Sequence, residues 1–296
     1  MSAWTRPGPA GQTGRLGAAL VDGGGAIWRR PGLAVGCAII LVIVLMALLA
    51  PILEHYPPDS ARPADSLQPP NAQHWLGTDP SGFDIYSRLL HAARVDLFIG
   101  ITGTLVAMVL GAIIGLITGY IGGTVDALLG RAVDLLQSFP LFITALLLVS
   151  LFGQRVSNII AAVTFVYLPL YVRTFRTEAA TLRDRGFVRS AKLSGASTTY
   201  ILRRHLLPNA LAAALGLWAT TIGWAILMAA GLGFIGAGVK PPAAEWGSMI
   251  SSGTSLVVTG EWWVAVFPGL AIVLTVVGFT LISEGVQDVF DPRSRR

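Results

Sequence analysis

Charge is what this sequence has least of. Asp, Glu, Lys and Arg make up only 12% of its 296 residues, against roughly 25% in ordinary soluble domains. Mean hydropathy is +0.66 and 53% of residues are hydrophobic, so a water-soluble fold has too little polar surface to draw on. Cysteine is nearly missing too. Cys37 stands alone inside an apolar run, which excludes an internal disulfide, and no Cys/His set has metal-ligand spacing. No Gly-x-x-x-x-Gly-Lys-[Ser/Thr] is present, because neither Lys192 nor Lys240 follows a glycine; the chain has no P-loop to hold ATP. His-Glu-x-x-His and Gly-x-Ser-x-Gly are also lacking, so membrane protease and hydrolase chemistry has neither metal site nor nucleophile. The expectation is a protein that is not an enzyme and holds no cofactor of its own. The formal charge of +5 does not indicate nucleic acid, which needs a basic face on a soluble fold; here the basic residues stand between apolar runs.

Those runs are what the chain does have. About 20 apolar residues cross a hydrocarbon core of roughly 30 Å as helix, and six stretches approach that length: 33–50, 97–125, 135–153, 157–172, 209–231 and 262–283. The fold expected is an all-α integral membrane protein of six transmembrane helices. The third and fourth spans should form a hairpin turned at Gln154 and Arg155, and the fourth holds Pro169. The first run exceeds the 7–15 residues of a signal-peptide core, so it is read as retained. The division expected is a disordered lead (1–31), a first span (32–53), an outer segment (54–96), a five-helix core (97–285) and a tail (286–296). The core includes an inner loop at 173–208.

Orientation follows from the bias of Lys and Arg toward cytoplasmic loops. With six spans both termini share one side. Sixteen of the 21 basic residues fall there, eight of them between spans four and five: Arg173, Arg176, Arg183, Arg185, Arg189, Lys192, Arg203 and Arg204. Both termini are therefore expected in the cytoplasm. Arg131 and Asp134, three apart on the short connection before span three, are expected to form a local ion pair.

The basic loop carries its own helical pattern. Residues 176–182 can prolong span four. Ala191 to Leu193 favour helix, Gly195 suits the left-handed position that ends one, Ser197 can cap a second short helix, and Pro208 suits the first turn of the next. The result is a helix–turn–helix elbow beyond the membrane. This stretch resembles the signature loop of binding-protein-dependent ABC-importer permeases: Glu-Ala-Ala, three residues, Gly, nine residues, Ile, one residue, Leu-Pro. With the glycine at Gly195, Arg189, Ser190 and Ala191 take the Glu-Ala-Ala positions, His205 the Ile position, and Leu207-Pro208 the Leu-Pro. Glu178-Ala179-Ala180 is a decoy, since Asp184 stands where glycine is required. The sequence from His205 to Asn209 is similar to the peptide and nickel branch.

A second resemblance precedes span two. His74-Trp75-Leu76-Gly77-Thr78-Asp79-Pro80-Ser81-Gly82-Phe83-Asp84-Ile85-Tyr86-Ser87-Arg88 is similar to the corresponding stretch of dipeptide, oligopeptide and nickel permeases, with Phe83 where that group carries arginine. Gly77 and Gly82 permit tight turns, and Asp79 or Asp84 can pair with Arg88. Trp75, Gly77, Thr78, Asp79, Gly82, Asp84 and Arg88 thus form either a folded cap or a docking surface for a binding protein. The glycine-rich run 231–238 and Phe267-Pro268-Gly269 also resemble segments of the family, and Trp262 and Trp263 are read as interface anchors.

The resemblance implies a type I ABC-importer permease in a bacterial inner membrane. Its elbow, with Arg189, Ser190, Ala191, Gly195, Ala196, Ser197, His205, Leu207 and Pro208, would be the coupling helix. Its partners would be a second permease, two ATPase subunits that hold ATP and magnesium, and an extracytoplasmic solute-binding protein. Small peptides, nickel or a similar solute would be carried. The competing class is a self-sufficient secondary transporter or channel, which calls for ionisable residues within its spans or for inverted repeats; the six runs contain no acidic or basic residue.

Overall fold

The computed structural model describes residues 30–290; the lead, Arg6, Arg15, Arg29 and the tail arginines 293, 295 and 296 lie outside them. Ten α-helices and no strand occur among the described residues. α1, Pro31–Leu53, is apolar on all sides and starts with proline at its first turn, where the missing N–H costs nothing. α2, Ile85–Ile121, is 37 residues long, about 55 Å at 1.5 Å per residue. Half of its length would cross the hydrocarbon core, so its first turns stand outside the apolar run read from sequence. Arg88, Arg94 and Asp96 therefore belong to the helix rather than to a separate outer segment. Hydropathy could not see this, because the helix continues through polar residues.

The third expected span is not one helix. α3, Gly123–Gln137, and α4, Leu141–Phe152, meet at an 84° bend, where Pro140 ends the continuity. α4 alone has 12 residues, about 18 Å. Among the described residues five helices are long and apolar enough to cross a membrane, or six if this bent pair is one span. α5, Val156–Leu182, follows the turn at Gly153 to Arg155 and runs through Pro169 into the inner loop as expected. α6, Gly186–Leu193, and α7, Thr198–Ile201, form the elbow. α8, Leu207–Phe234, carries proline at its start. It is joined to α7 by a π-helical turn, Leu202–Leu206, rather than by a loop. α9, Trp246–Gly253, is short, and α10, Trp263–Phe290, closes the bundle.

Small residues set the helix pairing. Cβ atoms placed on Gly103, Gly111, Gly115 and Gly119 would lie 2.3–2.5 Å from Val163, Tyr171, the Val172 carbonyl and the Arg176 carbonyl. α2 and α5 thus lie backbone to backbone, the close packing that small residues allow in lipid. α1 lies on α10 at Gly36, whose added Cβ would be 2.8 Å from the Gly278 carbonyl. Polar bonds cross between helices inside this packing: Trp218 Nε1 donates to Thr104 (3.0 Å), Thr220 to Ser283 (2.6 Å), and the Tyr171 and Thr221 hydroxyls are bonded to each other. At the start of α1, Arg30 donates to the Gly285 carbonyl at 3.1 Å. The two ends of the described chain therefore share one face of the bundle, and so does the elbow, because Gly216 on α8 meets Gln287 on α10.

Candidate functional site

The elbow is built from a turn that only some sequences can make. Gly195 has φ +79°. The Ala196 N–H donates to the Ala191 carbonyl (3.0 Å) and the Gly195 N–H to that of Lys192 (3.0 Å), the paired bonds that close a helix around a left-handed residue. Ser197 then starts α7, its hydroxyl accepting from the Tyr200 N–H at 3.3 Å. Pro208 has no N–H to return to residue 204, and the π turn takes up the resulting slack; Asn209 Nδ2 donates to the His205 carbonyl at 2.6 Å.

Packing fixes this elbow to the bundle. Val188, Ile201 and Leu206 are buried. His205 sits between the two arms, its ring 6.0 Å from Phe187 and 5.6 Å from Tyr200. Lys192 lies over the Tyr120 ring at 4.6 Å, which ties α6 to the end of α2. Charge does the rest: Arg183 donates to the Gly119 carbonyl, and Arg176 holds Asp126 with two hydrogen bonds, Nε to Oδ1 and Nη2 to Oδ2. The expected Arg131–Asp134 pair does not form. Asp134 receives Arg173 of α5 at 2.6 Å instead, since an adjacent helix brings a cation closer than the same surface does.

Of the residues named from sequence, Arg189, Ser190, Gly195 and Ser197 face solvent, while Ala191, Ala196, His205, Leu207 and Pro208 are half-buried. Two apolar side chains at the tip went unremarked: Leu193 is 90% exposed and Tyr200 is 52% exposed. The elbow thus buries one apolar face and presents another outward, beyond the helix ends. Sequence could have found them only by asking which apolar residues lie opposite Val188 on a short helix.

The outer stretch folds inward. His74 Nδ1 is 2.9 Å from Asp84 Oδ1, and Asp84 Oδ2 accepts from the Ser87 N–H and hydroxyl while capping α2. Thr78 is fully buried, and its carbonyl accepts from Trp263 Nε1 at 3.2 Å. Gly77 and Gly82 have φ +78° and +76°, with the Trp263 ring and the Arg62 carbonyl where a Cβ would stand. Trp263 is therefore a buried brace, not an interface anchor. Arg88 forms a close ion pair with neither Asp79 nor Asp84, although its charge and that of Asp79 still attract. Its guanidinium lies 4.3 Å from the Phe83 ring centroid and donates to the Pro58 carbonyl at 3.0 Å. Burial pushes the Asp79 carboxyl above its usual range, although it accepts from the Ser81 and Phe83 N–H groups. Among these seven residues Trp75 alone is exposed, leaning on His55 and Tyr86.

One constellation escaped the sequence reading. Asp96 on α2 is fully buried and accepts from the Trp246 N–H at 3.0 Å, while its other oxygen has no partner among the described residues. Next to it in the chain fold, Glu245 caps α9, accepting from the N–H groups of Gly247 (2.8 Å) and Ser248 (3.0 Å). Burial pushes the Glu245 carboxyl up to about 7. Asp96 lies one residue before an apolar run, so hydropathy assigned it to the outside.

A helix bundle with a solvent-facing elbow, no strand among its described residues and no catalytic constellation fits a transport component. Comparison with known families decides it. Residues 111–296 match the model of the binding-protein-dependent transport system inner membrane component, and residues 27–70 match the N-terminal transmembrane domain of oligopeptide transport permease C. The chain belongs to this permease family. It is a multi-pass protein of the bacterial inner membrane and a transport permease, not an enzyme. It is similar to a protein of Brucella suis provisionally named as a peptide transport system permease, 38% identical over 90% of each chain. The dipeptide transport system permease protein of Alkalihalophilus pseudofirmus is 36% identical over 88% of this chain and 86% of its own. The glutathione transport system permease protein of Pectobacterium atrosepticum is 35% identical over 90% of both.

Proposed function

We propose that this permease carries small peptides delivered by an extracytoplasmic binding protein, and that it forms the path with a second permease. Two cytoplasmic ATPases, holding ATP and magnesium, drive it through the elbow at 183–208. The names of the dipeptide and glutathione relatives support peptide cargo; nickel or a similar small solute is the alternative that the wider branch offers. Both termini and the elbow face the cytoplasm, in keeping with the excess of Lys and Arg on that side. The outer cap, with Trp75 exposed, faces the binding protein. The observation that carries the coupling reading is the elbow tip: Leu193 and Tyr200 are exposed on a turn braced by buried Val188, Ile201 and Leu206. Apolar side chains held rigidly outside the lipid are what a groove on a partner would take.

The test is Gly195→Val. Nothing lies within 4 Å of an added Cβ at this glycine, so the substitution creates no clash. It acts only on the left-handed conformation, at about 1–2 kcal/mol. The variant should insert and assemble normally, yet lose the stimulation of ATP hydrolysis by loaded binding protein. Stimulation equal to wild type would remove the coupling role from the elbow.

A further inference from the structure

Opposite the elbow, where α8 ends, the turn between α4 and α5 and the helix α9 enclose a cleft of about 300 Å³, near the lower end of the roughly 300–1,000 Å³ of small-molecule sites. Gln154, Gly236, Lys240, Ser248, Ser251 and Ser252 line it. The three serines fall at i, i+3 and i+4, on one face of α9.

The polar groups of this cleft sort by hydrogen-bonding role. Lys240 is exposed and has no acidic partner among the described residues. No Asp or Glu lines the cleft. Glu245, the nearest carboxylate in sequence, is 1% exposed, with both oxygens occupied by the start of α9. Ser248 and Ser252 already donate their hydroxyl hydrogens to the carbonyls of Glu245 and Met249, each at 2.8 Å. They therefore meet the cleft as acceptors. Gln154 Nε2 donates to the Gly236 carbonyl at 2.7 Å, which leaves its own carbonyl oxygen as a further acceptor. Lys240, Ser251 and the second N–H of the Gln154 amide are the side-chain groups left to donate.

We infer that this cleft is a subsite for the carboxylate end of a peptide. Lys240 Nζ and the Ser251 hydroxyl donate to the carboxylate, and the oxygens of Ser248, Ser252 and Gln154 accept from the amide N–H beside it. A free ammonium end finds no carboxylate here, so the cleft distinguishes the two ends of its cargo. The inference rests on the peptide-permease reading above and adds which end of the peptide the outer side of this chain holds. A phospholipid headgroup offers a lysine the same anionic chemistry, and the experiment separates the two.

The full-length chain is placed in phosphatidylcholine nanodiscs and titrated with dialanine and with dialanine amide. Dialanine should bind Lys240→Gln about tenfold more weakly than wild type, a loss expected of one charge-assisted contact, and Lys240→Arg within about threefold of wild type. Dialanine amide should bind wild type as weakly as dialanine binds Lys240→Gln. The subsite is overturned by absence of saturable dialanine binding, by equal binding of acid and amide, or by a Lys240→Gln effect that appears only when phosphatidylglycerol is added. Import by the assembled transporter separates this failure from that of the underlying reading. Wild-type import of dialanine with an unchanged KM in Lys240→Gln discards the subsite and keeps the peptide permease. A wild-type complex that imports no peptide discards both.

Discussion

Gly195 and Glu245 show how single residues set behaviour here in opposite ways. Gly195 is needed for its conformation, with open space where a side chain would start; Glu245 is needed for its contacts and sits buried where a carboxylate is costly. Because the folded Glu245 carboxyl is raised to about 7 from 4.5, the folded state binds its proton more tightly than the unfolded chain. Stability from this group is then full below about pH 4.5 and declines as pH rises toward 7. Thermal unfolding of the detergent-purified chain should show a midpoint that falls between about pH 4.5 and 7, and Glu245→Gln should flatten that slope. An unchanged slope in the variant would place the titration elsewhere. Asp96→Asn keeps an acceptor for the Trp246 N–H while replacing a fully buried carboxyl that has one unpartnered oxygen. It should raise the midpoint by about 2–4 °C, the shift that roughly 1 kcal/mol makes in a chain of this size, as scanning calorimetry would record. Neither residue was legible as a site from sequence. Glu245 lies just beyond the glycine-rich run 231–238, and Asp96 borders an apolar window.

At the scale of elements, sequence served best where one local rule decides the outcome. The glycine at the elbow, the serine cap and the prolonged α5 all follow from rules spanning four or five residues, and the structure has each of them. The third span is broken at Pro140, which sequence missed because hydropathy averages over that residue and cannot register an 84° bend. The Arg131–Asp134 pair failed because Arg173 reaches Asp134 across helices, as Arg176 reaches Asp126, a proximity that no local spacing encodes. The glycine stripe on α2 was visible as composition, but its partner was not. Gly111→Leu should separate α2 from α5, since an added Cβ would stand 2.4 Å from Tyr171 Cβ. Overpacking of this kind costs about 1–3 kcal/mol, and size-exclusion chromatography should show less monodisperse protein. Leu193→Asp makes the converse case. The side chain is 90% exposed, so folding and insertion should match wild type, while co-purification of the ATPases should fall about tenfold, as loss of an interface anchor predicts. Undiminished co-purification would mean that the tip does not bear on them.

For the whole molecule, the arrangement divides labour between two faces. One face carries the braced cap, the α9 cleft and few basic residues. The other carries the elbow, both described chain ends and most of the described arginines. With Cys37 replaced by serine, a cysteine at Trp75 should react with a membrane-impermeant maleimide in cells whose outer barrier is opened, and one at position 193 only after the inner membrane is breached. The sequence has no P-loop, and in the proposed coupling ATP is hydrolysed on another chain, met at the elbow. The most direct measurement is a photo-crosslinking amino acid placed at position 193 in the assembled transporter. An adduct with an ATPase subunit, strengthened or shifted on ATP binding, is the predicted result. An adduct confined to lipid or to the external binding protein would contradict it.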